Sequence, residues 1–153
     1  MPTSRGELTA LYERTQYRVR LGLGGCAVIR IHQPLPASLQ ALLPNPQAAW
    51  AFITAWNPLS QRQPADINRL RQRRLLARLR QLEPVPRIAA GVGVGSVDAH
   101  GQRWREASLF AAGIAMASVD ELMREFQQHA VVCGHGHEPA ELRFNPQGVH
   151  CPP

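Results

Sequence analysis

The sequence predicts an α+β domain on a mostly antiparallel sheet with three or four helices, arranged as a two-layer sandwich. Two patterns predict the class. Segments of period-two hydrophobicity come in pairs joined by short turns, the mark of hairpins rather than of parallel crossovers. Helical segments with start and stop signals lie between those pairs instead of following every strand. The size agrees: 153 residues, 44% hydrophobic and 18% charged, suffice for one core.

The elements follow in order. Ser4 and Glu7 fit a capping box, and Leu8, Leu11, Tyr12 and Thr15 recur at helical spacing, giving a short first helix. Tyr17, Val19 and Leu21 alternate with arginines. After the glycines at 22, 24 and 25, Ala27, Ile29 and Ile31 alternate again, which predicts a β-hairpin. Residues 36–43 can make two helical turns before Pro44 and Pro46, and residues 50–56 form an apolar run of strand length ended by Asn57-Pro58. Pro64 opens the longest helix, reaching Leu82 before Pro84 and Pro86. Residues 87–95 read as a strand with glycines at 91, 93 and 95, turning at 98–101 into a second strand over 104–115. Ser118 and Glu121 predict a second capping box for a helix to about Gln128, followed by strands over 130–133 and 141–144. Residues 1–7 are a lead-in, 8–144 the single domain, and 145–153 a loose, proline-bearing tail.

Composition excludes some chemistry outright. All 17 basic residues are arginine, so every mechanism that needs a lysine amine is closed: the Schiff base, the pyridoxal anchor, the Walker lysine. The opening residues are polar, and the longest apolar stretch, nine residues over 109–117, is far short of the roughly 20 that span a bilayer. Cys26, Cys133 and Cys151 form an odd, sparse set unlike a disulfide framework. A cytoplasmic protein without a membrane partner is expected. Gly91-Val-Gly93-Val-Gly95 lacks the dinucleotide spacing and leads to a turn rather than a helix; it is expected to let a helix or ligand approach the sheet closely. No serine sits in a nucleophile elbow, and no cofactor is expected.

Several residues resemble a bacterial family known as the domain of unknown function 3293. They are Tyr12, Thr15 and Tyr17; residues 53–60, Ile-Thr-Ala-Trp-Asn-Pro-Leu-Ser; Asn68, Arg71, Leu75 and Leu79; Trp104, Glu106 and Ser108 before Gly113-Ile114; and Phe126, Gln128 and Ala130 before Glu141-Leu142. Where family members tend to read Gly-Gln-Asn-Ala, this chain has Gln127-Gln128-His129-Ala130. The polar residues inside the resemblance, Asn57, Asn68, Arg71, Glu106 and Gln128, come from four elements and are the candidate ligand-binding site. Amides and a guanidinium supply fixed donors for an anionic group, and a desolvated Glu106 could act as a base. The competing interpretation is a structural network.

Two further constellations stand out. Residues 62–80 hold seven arginines against Asp66 alone. The other ten arginines are matched by ten acids, so this segment carries the whole net charge of +6. On a helical wheel Arg69, Arg73 and Arg80 form one stripe, expected in solvent. Arg71, Arg74 and Arg78 form another beside Ile67 and Leu82, expected to pair with carboxylates or an anion. The first stripe is either a solvated face or the docking surface for a polyanion such as nucleic acid, or for an acidic protein. Cys133, His135 and His137 sit at alternate positions and are candidate metal ligands, without a paired Cys-x-x-Cys or His-Glu-x-x-His spacing. The leading functional expectation is a binding module whose arginine-rich helix docks an anionic partner. The alternative is a small enzyme or ligand-binding domain using the Asn/Arg/Glu/Gln cluster on an anionic small molecule.

Overall fold

The computed structural model describes residues 4–148. Its helices are α1 (Arg5–Arg14), α2 (Ala37–Gln40), α3 (Ala65–Arg80) and α4 (Met116–Glu125). Its strands are β1 (Gln16–Arg20), β2 (Cys26–Ile29), β3 (Ala49–Ile53), β4 (Arg87–Val97), β5 (Arg103–Ala112), β6 (Ala130–His135) and β7 (Glu141–Phe144). All seven strands form one sheet in the order β2-β1-β4-β5-β3-β6-β7, and every pairing is antiparallel. The α+β class read from the hairpin pattern is therefore the observed one.

The sheet curls. Beyond β2, Ile31 bridges Ala140 and Pro34 bridges Pro139. His32 N–H donates to the Ala140 carbonyl at 2.8 Å and Ala140 N–H to the Gln33 carbonyl at 2.9 Å. The two edges of the sheet thus meet at one corner, which satisfies backbone groups that would otherwise form open edges. Strand alternation then divides the side chains between two cores. On the outer face Ala51, Ile53, Leu109, Ala111, Val131 and Cys133 pack against Leu75 and Leu79 of α3 and Val119, Leu122 and Met123 of α4. On the inner face Tyr17, Val19, Ile29, Trp50, Phe52, Phe110 and Val132 pack with Leu35 and Leu39 around α2. Helices α3 and α4 cover one face of the sheet, and the second core comes from the curl, which side-chain periodicity does not encode.

Local signals place most boundaries. Ser4 and Glu7 form the predicted capping box, with bonds of 3.0 and 3.1 Å. Pro64 is the N-cap of α3. The second predicted box does not form: α4 begins at Met116 with Ala115 as N-cap, which puts Ser118 inside the first turn. Gly113, at φ 84°, turns the chain out of β5 early enough for the helix to start three residues sooner. Asn145, assigned to the tail, is instead buried. Its Nδ2 donates to the Met123 and Gln128 carbonyls at 3.2 and 3.0 Å, tying the end of β7 to α4. The rest of the tail from residue 149, including Cys151, lies outside the described residues. Among the described residues no helix is long and apolar enough to cross a membrane.

Candidate functional site

The inner face leaves a pocket of about 560 Å³, a size typical of small-molecule sites. One wall is α1, which presents Leu8, Leu11, Tyr12 and Thr15. The floor is the sheet: Tyr17, Phe52 and Thr54, alternate residues Trp104, Glu106 and Ser108 of β5, and Ala130 and Val132 of β6. The alternate glycines of β4 make the room. A Cβ at Gly91 would lie 2.8 Å from the Phe52 ring and 2.7 Å from the Arg18 carbonyl oxygen. At Gly93 and Gly95 the nearby atoms include Thr15 of α1 at 3.9 and 3.7 Å. Gly93 and Gly95 thus admit the C-terminal end of α1 close to the sheet, as expected, whereas Gly91 admits the Phe52 ring, and the pocket is what remains beside that helix.

The polar heart of the pocket is Glu106 with Asn57. Asn57 stands four residues past β3, ahead of the short turn at Pro58–Ser60, in the left-handed region (φ 45°), a conformation its short amide tolerates. Its Oδ1 accepts from Gln63 N–H at 3.0 Å and from Asn68 Nδ2 at 2.9 Å. Its N–H donates to Asn68 Oδ1 at 2.9 Å, and its Nδ2 donates to Glu106 Oε1 at 3.2 Å. Burial pushes the Glu106 carboxyl up to about 7, against the pull of the Asn57 and Trp104 hydrogen bonds and the charge of Arg62. Burial, aided by the Glu106 charge, also raises the Tyr12 and Tyr17 phenols above their ordinary value. Their hydroxyls donate to the Ala130 and Tyr12 carbonyls at 3.3 and 2.5 Å. At the mouth the Arg62 guanidinium lies 4.4 Å over the Trp104 ring and 3.5 Å from Asp98.

Two neighbouring turns are strained in the same way. Leu59 and Ser60 have φ of 52° and 58° and Gln127 has 54°, and Leu59 N–H donates to the Gln127 carbonyl at 2.8 Å. Such conformations cost on the order of 1 kcal/mol or more each and cluster where a site must be held open. Ser60 and Gln128 both line the pocket beside them.

A family model described as "Protein of unknown function (DUF3293)" matches residues 53–131, more than half of the chain. The chain belongs to the DUF3293 family. No curated protein and no solved structure matches it. The match covers Asn57, Asn68, Arg71, Glu106 and Gln128, and in this DUF3293 member the structure divides the five. Asn57, Glu106 and Gln128 line the pocket, whereas Asn68 and Arg71 do not. Asn68, 2% exposed, braces Asn57. Arg71 donates to the Ala55 carbonyl at 2.8 Å and to the Phe126 carbonyl at 2.6 Å, so it caps the C-terminal end of α4. Gln128 Nε2 donates to the same Phe126 carbonyl at 3.2 Å and to that of Trp56 at 3.1 Å. The guanidinium expected to recognise an anion is therefore engaged on the backbone.

The other sequence candidates lie elsewhere. Arg69, Arg73 and Arg80 are exposed as expected, with no ion pair among the described residues. Of the second stripe, Arg78 pairs with Glu125 at 2.9 Å. Ile67, beside which the second stripe lies, is 42% exposed; the buried face of α3 is Asn68, Leu75 and Leu79. Cys133 is fully buried in the outer core, and burial pushes its thiol up to about 12, the reverse of what a metal-bound thiolate needs. His135 and His137 are exposed, and Gly136 at φ 52° ends the extended geometry that was to align the three. No group of three or more metal-ligating side chains is assembled among the described residues. Sequence reasoning did not place Tyr12, Tyr17, Trp104 or His129 in a site. The signal was present in β5, where Trp104, Glu106 and Ser108 alternate on one face.

Proposed function

We propose that this chain is a small-molecule-binding domain whose pocket inside the curled sheet uses Glu106, positioned by Asn57, as its polar anchor. The observation that carries this reading is the pocket itself: mostly apolar and aromatic walls converging on one desolvated carboxyl, beside strained backbone turns. A carboxyl pushed up to about 7 can both hold and release a proton at neutral pH, so the same geometry suits acid–base work on a bound substrate. Asn57 keeps the carboxyl in one orientation, and Trp104 and Phe52 offer flat surfaces to a ligand's apolar body.

The test is a plug. Gly93 has ordinary space for a Cβ, the nearest atoms being 3.9 Å away, so Gly93→Val should fold while its methyls occupy the pocket. A neutral aromatic probe, naphthylethanol, should bind the wild-type chain in calorimetry and fail to bind the variant. Binding that survives the plug, or a wild-type chain that takes up neither this probe nor a charged analogue of the same shape, would overturn the proposal. A second reading, polyanion docking on α3, is favoured by one observation: Arg69, Arg73 and Arg80 stand exposed without a carboxylate partner among the described residues.

A further inference from the structure

We infer that the pocket selects a protonated amine carried on an apolar or aromatic body. The inference rests on the binding reading above and adds the class of ligand. It starts from which hydrogen-bonding groups are already engaged. The hydroxyls of Tyr12, Tyr17, Thr54 and Ser108 all donate to backbone carbonyls, at 3.3, 2.5, 2.7 and 3.1 Å. The side-chain amides of Asn57 and Gln128 donate to Glu106 and to the Trp56 and Phe126 carbonyls. Besides the donors of Arg62, Ser60 and Ser96, which are exposed or half-buried, what remains toward the cavity is acceptor capacity: the Glu106 carboxyl, and the Gln128 Oε1, which has no partner among the described residues. His129, 7% exposed and lining the same cavity, has no partner for its Nδ1 among the described residues. A ligand that fits must bring donors.

Charge points the same way. The titratable groups around the cavity are Tyr12, Tyr17, Arg62, Asp98, Glu106 and His129. Arg62 and Asp98 pair at the mouth, and both tyrosines keep their protons because burial raises them. Glu106 has no ion pair among the described residues: its hydrogen-bonded neighbours, Asn57 and Trp104, are neutral, and the Arg62 charge acts on it only from a distance. Removing a carboxylate from water is costly, and a cation seated against it offsets that cost. The aromatic faces of Tyr17, Phe52 and Trp104 add attraction for an ammonium group.

Three probes of matched shape decide the matter: naphthylethylamine, naphthylethanol and naphthylpropanoate, titrated by calorimetry at about pH 8, where Glu106 is mostly ionised. The amine should bind about tenfold more tightly than the alcohol, and the propanoate most weakly, because a charge-assisted bond is roughly twice as strong as a neutral one. Glu106→Gln should reduce the amine to the level of the alcohol. In the wild-type chain alone, acidification to about pH 5 should narrow the difference as the carboxyl takes up a proton. If the alcohol binds and Gly93→Val blocks it while the amine has no advantage, the ligand class is wrong and the pocket reading stands. If the propanoate binds best, the class is likewise overturned. If none of the three binds, both fall.

Discussion

Replacing Asn57 by alanine removes three side-chain hydrogen bonds and places a Cβ-bearing residue without a compensating amide at φ 45°. Of the groups left behind, Asn68 Nδ2 keeps the Gln63 carbonyl at 3.2 Å and Glu106 keeps Trp104, but the Gln63 N–H loses its only acceptor. One part-buried donor without a partner costs about 1 to 3 kcal/mol. The left-handed backbone adds roughly 1 kcal/mol for alanine, because the side-chain bonding that makes it acceptable for asparagine is gone. The sum is about 2 to 4 kcal/mol of lost stability, read as a lower urea midpoint at unchanged slope. Asn57→Gly separates the two contributions: it loses the same hydrogen bonds but adopts positive φ freely, and should be about 1 kcal/mol less damaging than alanine. Midpoints within experimental scatter of wild type for both variants would refute the bracing role. Glycine as harmful as alanine would refute the backbone part of the argument.

The Glu106 carboxyl, raised in the fold from 4.5 to about 7, binds a proton that the unfolded chain has already lost between those values. Its contribution to stability is therefore greatest below about pH 4.5 and declines as pH rises through 7, by on the order of 3 kcal/mol. Asp120, lowered by its hydrogen bonds to Arg143, acts in the opposite sense, so the check is the difference between wild type and Glu106→Gln at pH 5 and pH 8, with the variant gaining at the higher pH. A Cβ at Gly91 would meet the Arg18 carbonyl oxygen at 2.7 Å, whereas one at Gly93 meets nothing closer than 3.9 Å. Gly91→Ala should therefore cost about 1 to 3 kcal/mol in denaturant unfolding and Gly93→Ala little. If α3 docks a polyanion, changing Arg69, Arg73 and Arg80 to Gln should flatten the slope of log affinity against log salt on duplex DNA by roughly 2 to 3 units. An unaltered slope, or no salt-dependent retention by the wild-type chain at low ionic strength, would dismiss that reading.

Period and punctuation made most of the fold legible. The β1–β2 hairpin, the long α3 opened by Pro64, and the pairing of β4 with β5 are local patterns whose strands and turns lie next to each other in sequence. The corner where Ile31 meets Ala140 joins residues more than a hundred positions apart, and no local pattern specifies it. That corner closes the core around α2, whereas the pocket lies where α1 crosses the far ends of β4 and β5, a packing that is equally absent from any local pattern. The same limit shaped the site. Asn57, Glu106 and Gln128 were identified as residues able to act together, but a sequence does not reveal which polar groups end their bonds on backbone. Arg71 found two carbonyls within its reach and Asn68 found Asn57, so both became supports. The run from Cys133 to His137 failed as a cluster because β6 buries one face while Gly136 breaks the alternation.

The most direct measurement of the central claim is a map of backbone amide shifts on titrating naphthylethylamine into the wild-type chain. Shifts should concentrate on Tyr12, Gly93, Trp104, Glu106 and Gln128, the residues that surround the cavity from α1, β4, β5 and the approach to β6. They should disappear in Gly93→Val. Shifts confined to α3 or scattered over the surface, with those five residues unmoved, would contradict the assignment of the pocket as the functional site.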